Sequence, residues 1–64
     1  MKPLIEYDAA ANAAYIRFSS ETILDSEEIS IGIVLDYDAH GHIVGMEVLD
    51  ARQHLSPKTL NEAA

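Results

Sequence analysis

Between Ile29 and Asp36, Ile29, Ile31, Ile33 and Leu35 recur at every second position against Ser30, Gly32, Val34 and Asp36. A period of two predicts a strand with one face buried. Ile43 to Leu49 answers it as a second strand. Between them, Asp38-Ala39-His40-Gly41 sets aspartate at the first turn position and glycine at the left-handed one, which predicts a hairpin closed by a bulged three-residue loop. Placing Asp38 opposite His42 pairs Tyr37 with Ile43, Leu35 with Gly45, Ile33 with Glu47 and Ile31 with Leu49. That face is almost wholly apolar, and the other holds Val34, Val44, Met46 and Val48 beside Ser30, Gly32 and Asp36, so both sides want partial cover.

A first hairpin runs from Pro3 to Tyr7, turns through Asp8 to Asn12 and returns along Ala13 to Ser19. With Asp8 opposite Ala13, one face collects Ile5, Tyr7, Ala14, Ile16 and Phe18, and the other Leu4, Glu6, Tyr15 and Arg17. Asp8 can bond its own backbone at the turn entrance, and Asn12 tolerates a left-handed conformation at the exit. The alanine-rich stretch from Asp8 to Ala14 could instead nucleate a helix, but the alternating β-formers Tyr15-Ile16-Arg17-Phe18 favour strand. Thr22 to Glu28 reads as an acidic connector with a short extended piece around Ile23.

Helical material is confined to the tail. Asp50 can cap a short turn through Leu55, Ser56-Pro57 offers a cap followed by proline at the first helical position, and Leu55 and Leu60 are the expected anchors. The fold class is therefore α+β: a small antiparallel β-meander of about four strands with a short C-terminal helix. Residues 1–64 form one β-rich unit with a helical tail from 51 to 64, and no repeat or linker interrupts it.

Composition narrows the functional classes. Eleven acids against four bases give a formal charge of -7, which disfavours nucleic acid and allows a basic protein partner. A hydrophobic content of 48% argues for folding. The absence of cysteine removes disulfides, thiolate metal sites and cysteine nucleophiles, so a chain that buries only about 60% of its unfolded surface must gain stability from packing or self-association. No stretch approaches the roughly 20 apolar residues of a membrane span, and a charge precedes any apolar run of signal length, which predicts a cytoplasmic protein.

Tyr7-Asp8, Ala13-Ala14-Tyr15-Ile16-Arg17-Phe18, Gly32-Ile33-Val34-Leu35-Asp36-Tyr37-Asp38, Gly41, and the run from Ile43 to Ala51 follow one another in a recognisable order. In these blocks, over about residues 4 to 51, the chain resembles the short bacterial family called domain of unknown function 2283. Ala9 and Ala10 stand where the commoner family turn carries proline and an acid, a departure confined to a surface turn. The resemblance implies a small β-rich α+β domain with no assigned activity and no established catalytic residues. Some relatives are suspected members of toxin and antitoxin gene pairs, so it also implies a neutralising partner role.

Several residues carry candidate chemistry. Asp36, Asp38, Gly41 and Glu47 stand at positions one, three, six and twelve of a calcium-loop spacing, with Ile43 at the apolar position. His40 fills position five, where Asp or Asn belongs, and both flanks alternate with period two where the loop needs helices, so these residues read as a turn. Asp36, Asp38 and His42, with His40 at the tip, also form a donor set suited to zinc or nickel. Exposed tips seldom preorganise a site, and the reading adopted is no metal and no cofactor. His54 is a lone surface or helix-end residue.

Glu47 falls on the drier face in the expected register, opposite Ile33 and beside Gly45, where a bare charge costs several kcal/mol. Its expected partner is Arg17 or a hydroxyl from Tyr7, Tyr15 or Tyr37, in a structural pair or a partner contact. No second group faces it across a pocket, as general acid catalysis would require. The expectation is a non-catalytic protein-interaction module, a homodimer that also meets a basic, toxin-like partner. Metal binding at the hairpin end is the first alternative and a small hydrolase the second.

Overall fold

A computed structural model describes residues 2–63. Five strands, β1 (Leu4–Asp8), β2 (Ala13–Arg17), β3 (Asp25–Ser30), β4 (Ile33–Tyr37) and β5 (Ile43–Leu49), precede two short helices, α1 (Ala51–His54) and α2 (Pro57–Ala63). The strands form one antiparallel sheet in the order β1-β2-β5-β4-β3. The β1–β2 hairpin thus lies against the β3–β4–β5 meander through β2 and β5. This is the expected α+β class, with one more strand.

The first hairpin has the register that its turn residues dictate, from Leu4 opposite Arg17 to Asp8 opposite Ala13. The Asp8 carboxylate accepts the N–H groups of Ala10 and Ala11 at 3.1 and 3.2 Å, and Asn12 takes the left-handed conformation at φ 51°. These bonds stay within the loop, so they form whatever the rest of the chain does.

The alternating run Ile29–Asp36 is not one strand. It breaks at Gly32, whose φ of +79° is open to glycine and costly for other residues. The acidic stretch before the break is β3 rather than a connector, and Ile31 is left 90% exposed at the turn. Period two ran straight through a turn, because Ile31 belongs to the pattern but not to a buried face.

The second hairpin keeps the expected turn and loses the expected register. Tyr37 pairs with Ile43, but Asp36 pairs with Gly45, Leu35 with Met46, Val34 with Glu47 and Ile33 with Val48. Val44 is the extra residue of a β-bulge, and one inserted residue sends every side chain beyond it to the opposite face. Ile33, Leu35, Met46 and Val48 therefore share one face with Tyr7, Ala14 and Ile16, while Asp36, Gly45 and Glu47 join Tyr15 and Arg17 on the other.

The helices pack on the first of these faces. Asp50, at φ 54°, precedes α1 without capping it through its own side chain. Asn12 performs that task from the β1–β2 turn: its backbone and side-chain oxygens accept the N–H groups of Ala51 and Arg52 at 2.8 and 2.9 Å, and its amide donates to the Asp50 carboxylate at 2.8 Å. α2 begins as expected, with the Ser56 hydroxyl accepting the Thr59 N–H at 3.2 Å and Pro57 at the first position. Ala14, Val48, Ala51 and Leu60 form the core, with Tyr7, Ile33, Met46 and Leu55 packed against it.

α2 has seven residues and is only about 10 Å long, against a longest molecular dimension of 33 Å. Helical cover therefore stops part way across the sheet, although Val44 at the bulge is fully buried. Beyond it, the row Ile16, Met46, Leu35 leads to a second row of Ile43 and Tyr37, with Phe18 at the end of β2. Phe18 and Ile43 are 41% and 47% exposed.

Candidate functional site

The face away from the helices carries the buried polar chemistry. Asp36 is 6% exposed, and each carboxylate oxygen has a donor: the Tyr15 hydroxyl at 2.9 Å and the Ser26 hydroxyl at 2.6 Å. Three strands are tied together by these two bonds, since Tyr15 lies on β2, Asp36 on β4 and Ser26 on β3. The Tyr15 ring reaches Asp36 by crossing β5 at Gly45, where any Cβ would collide with the ring and its hydroxyl. The Arg17 guanidinium carbon lies over the Tyr15 ring, 5.2 Å from its centroid, and one nitrogen donates to the Ser19 carbonyl at 3.3 Å. Burial first, then the hydrogen bond to Asp36 and its charge, hold the Tyr15 hydroxyl above its usual pKa of 10.0.

The expected role of Glu47 is thereby reassigned. Glu47 is exposed and lies opposite Tyr15 and Val34, not Ile33. The carboxylate that needs a tyrosine hydroxyl is Asp36. The kind of partner follows from elementary desolvation, but the identity of the acid turns on the bulge at Val44.

The hairpin end does not converge on a cation. Asp36 is committed to Tyr15 and Ser26, which take both of its carboxylate oxygens. Asp38 accepts the N–H groups of His42 and His40, both at 2.9 Å, and those bonds draw its pKa below the ordinary 3.8. The His42 ring is 3.7 Å from the second Asp38 oxygen, with its side chain 80% exposed. Gly41 takes the left-handed turn position at φ 81°. Among the described residues no group of three or more histidine, aspartate or glutamate side chains is placed to hold a metal ion. The calcium-loop spacing falls on two strands and a tight turn, so Glu47 sits on β5, away from Asp38. His54 closes a helix end, with Nδ1 3.1 Å from the Leu49 carbonyl.

An open hollow of about 340 Å³ lies beside β1 and is lined by Glu6, Asp8, Glu47, Tyr7, Tyr15 and two alanines. It brings together carboxylates and phenols, with no histidine, lysine or serine to complete an acid–base or nucleophile pair.

The remaining feature is the β3 edge. All six of its residues are exposed, and among the described residues it pairs only with β4. Asp25, Glu27 and Glu28 project from it, and Leu24, Ile29 and Ile31, at 66%, 52% and 90% exposure, bracket them. Partial burial, then the charge of Glu27 and its hydrogen bond, and then Asp25 push Tyr37 on the neighbouring strand above pKa 10.0. Among the described residues no helix is long and apolar enough to cross a membrane.

A family model described as protein of unknown function (DUF2283) matches residues 4–52, which contain the whole sheet and the start of α1. No curated protein and no solved structure gives a significant match to the chain.

Proposed function

The chain belongs to the DUF2283 family, and on that footing we propose that it is a non-catalytic protein-interaction module, a homodimer joined through the part of the sheet its helices leave open. The observation that carries this reading is the apolar row beyond the helices, where Phe18 and Ile43 are exposed and Ile16, Leu35 and Tyr37 are only half-buried. The surface area agrees: 4433 Å², against about 4,000 Å² for a compact monomer of 7.0 kDa. A second copy related by a two-fold axis would set the same surface against itself and remove it from water.

The same module is suited to a basic, toxin-like protein. Its charge of -7 steers such a partner, and the pairing should weaken as salt rises. The experiment is thermal unfolding at several protein concentrations. A dimer that unfolds to monomers must melt higher as concentration rises. Ile43→Ser should flatten that dependence, and a wild-type melting point that does not move with concentration would contradict the reading.

A further inference from the structure

We propose that the β3 edge is a strand-docking site that takes an extended, basic segment of a protein partner as a sixth antiparallel strand. The proposal rests on the interaction-module reading and gives it a mode of recognition and a partner chemistry. β3 pairs with β4 on one side only, so its other side presents unpaired N–H and C=O groups. The opposite edge differs, because α2 packs against β1 and shares a hollow with it at Pro3, Leu4, Ile5, Glu62 and Ala63.

Exposed edges are ordinarily blunted by lysine, proline or extreme shortness. β3 has neither lysine nor proline and runs for six residues, with its irregularity confined to the far end, at Ile29. What guards it is negative charge. Asp25 and Glu27 lie on the helix-bearing side, level with Tyr37 and Leu35, and Glu28 lies on the other side, level with Val34. β3 and β4 hold no basic residue to neutralise them.

That arrangement selects the occupant. Antiparallel pairing of two β3 edges would set the acids of one copy against those of the other, and like charges directly opposite destabilise a strand pair. A strand with lysine or arginine at alternate positions meets Asp25 and Glu27 on one side of the sheet, while backbone pairing supplies affinity. Leu24 and Ile29, at the two ends, offer apolar contacts to flanking residues of the same segment. The acids thus exclude self-association at this edge and admit a basic strand.

The test is a chemical-shift titration of the isotope-labelled full chain with a capped eight-residue peptide of alternating lysine and valine. The controls are the peptide with glutamate in place of lysine, and the lysine peptide N-methylated at alternate residues. The lysine peptide should shift and protect amides of residues 24–30, and binding should fall about tenfold or more for either control and for the double variant Glu27→Lys/Glu28→Lys. Both substitutions lie on exposed side chains, and a dispersed spectrum will show that the variant folds. Absence of binding, equal binding of the glutamate or N-methylated peptide, or shifts centred on Ile16, Leu35 and Ile43 would overturn the proposal. A concentration-dependent melting point would leave the dimer standing in each of those cases, so the two failures are distinguishable.

Discussion

At Asp36 a carboxylate loses nearly all contact with water and survives because Tyr15 and Ser26 each give it a hydroxyl. Removing one donor leaves a buried oxygen unpaired, so Tyr15→Phe should cost about 1–3 kcal/mol in denaturant unfolding. Gly45→Ala should cost a similar ~1–3 kcal/mol by forcing the Tyr15 ring aside. Because both changes strike one contact, the double variant should be much less destabilised than the sum of the two.

Titration supplies a second pair of expectations. Asp38 has a lowered folded-state pKa, so its contribution is complete above the unfolded value of 3.8 and is lost as pH falls through and below it. Asp38→Asn should therefore be destabilising at neutral pH and nearly neutral in strong acid. Tyr15 has the opposite sign: its raised pKa makes the folded state lose stability as pH climbs past 10.0, and Tyr15→Phe should reduce that alkaline slope while Tyr37 supplies the remainder.

Among the elements, α1 depends on a residue nearly forty positions away. Asn12→Ala removes the acceptor for the Arg52 N–H and the donor to Asp50, so it should destabilise the fold by about 0.5–2 kcal/mol, the range of a lost helix cap. At about 4–8 °C per kcal/mol for a chain this small, a melting curve will show it. The register of the β1–β2 hairpin was legible because Asp8 and Asn12 fix its turn locally, although the strands run Leu4–Asp8 and Ala13–Arg17 rather than Pro3 to Tyr7 and Ala13 to Ser19. The turns of α2 and of the β4–β5 hairpin were legible for the same reason, through Ser56-Pro57 and through Asp38 and Gly41.

The bulge at Val44 was missed, and its signal was Glu47: a regular ladder sets that charge among Ile33, Leu35 and Tyr37, whereas the bulged one gathers Ile33, Leu35, Met46 and Val48 on one face and leaves Asp36 and Glu47 on the other. β3 escaped notice because an edge strand open on both faces needs no hydrophobic alternation, so its acids read as a connector. Gly32 was the available signal. A glycine inside an apolar alternation marks a break or a close approach, and here it marks both, with the Leu49 carbonyl 3.2 Å from where a Cβ would lie.

For the molecule as a whole, the governing fact is the mismatch between a five-stranded sheet and, among the described residues, eleven residues of helix. One face has a core under α1 and α2, then a row of half-buried and exposed apolar side chains, and its margin carries the acids of β3. The proposed self-association and the proposed recognition of a basic segment use different surfaces, the apolar face for the first and the edge for the second. Sedimentation equilibrium of the purified chain tests the first of these most directly. The proposed dimer requires a mass twice that of the 7.0 kDa chain, falling to the single-chain mass when Leu35 and Ile43 are replaced by serine. A wild-type chain that sediments as a monomer at every concentration would contradict it.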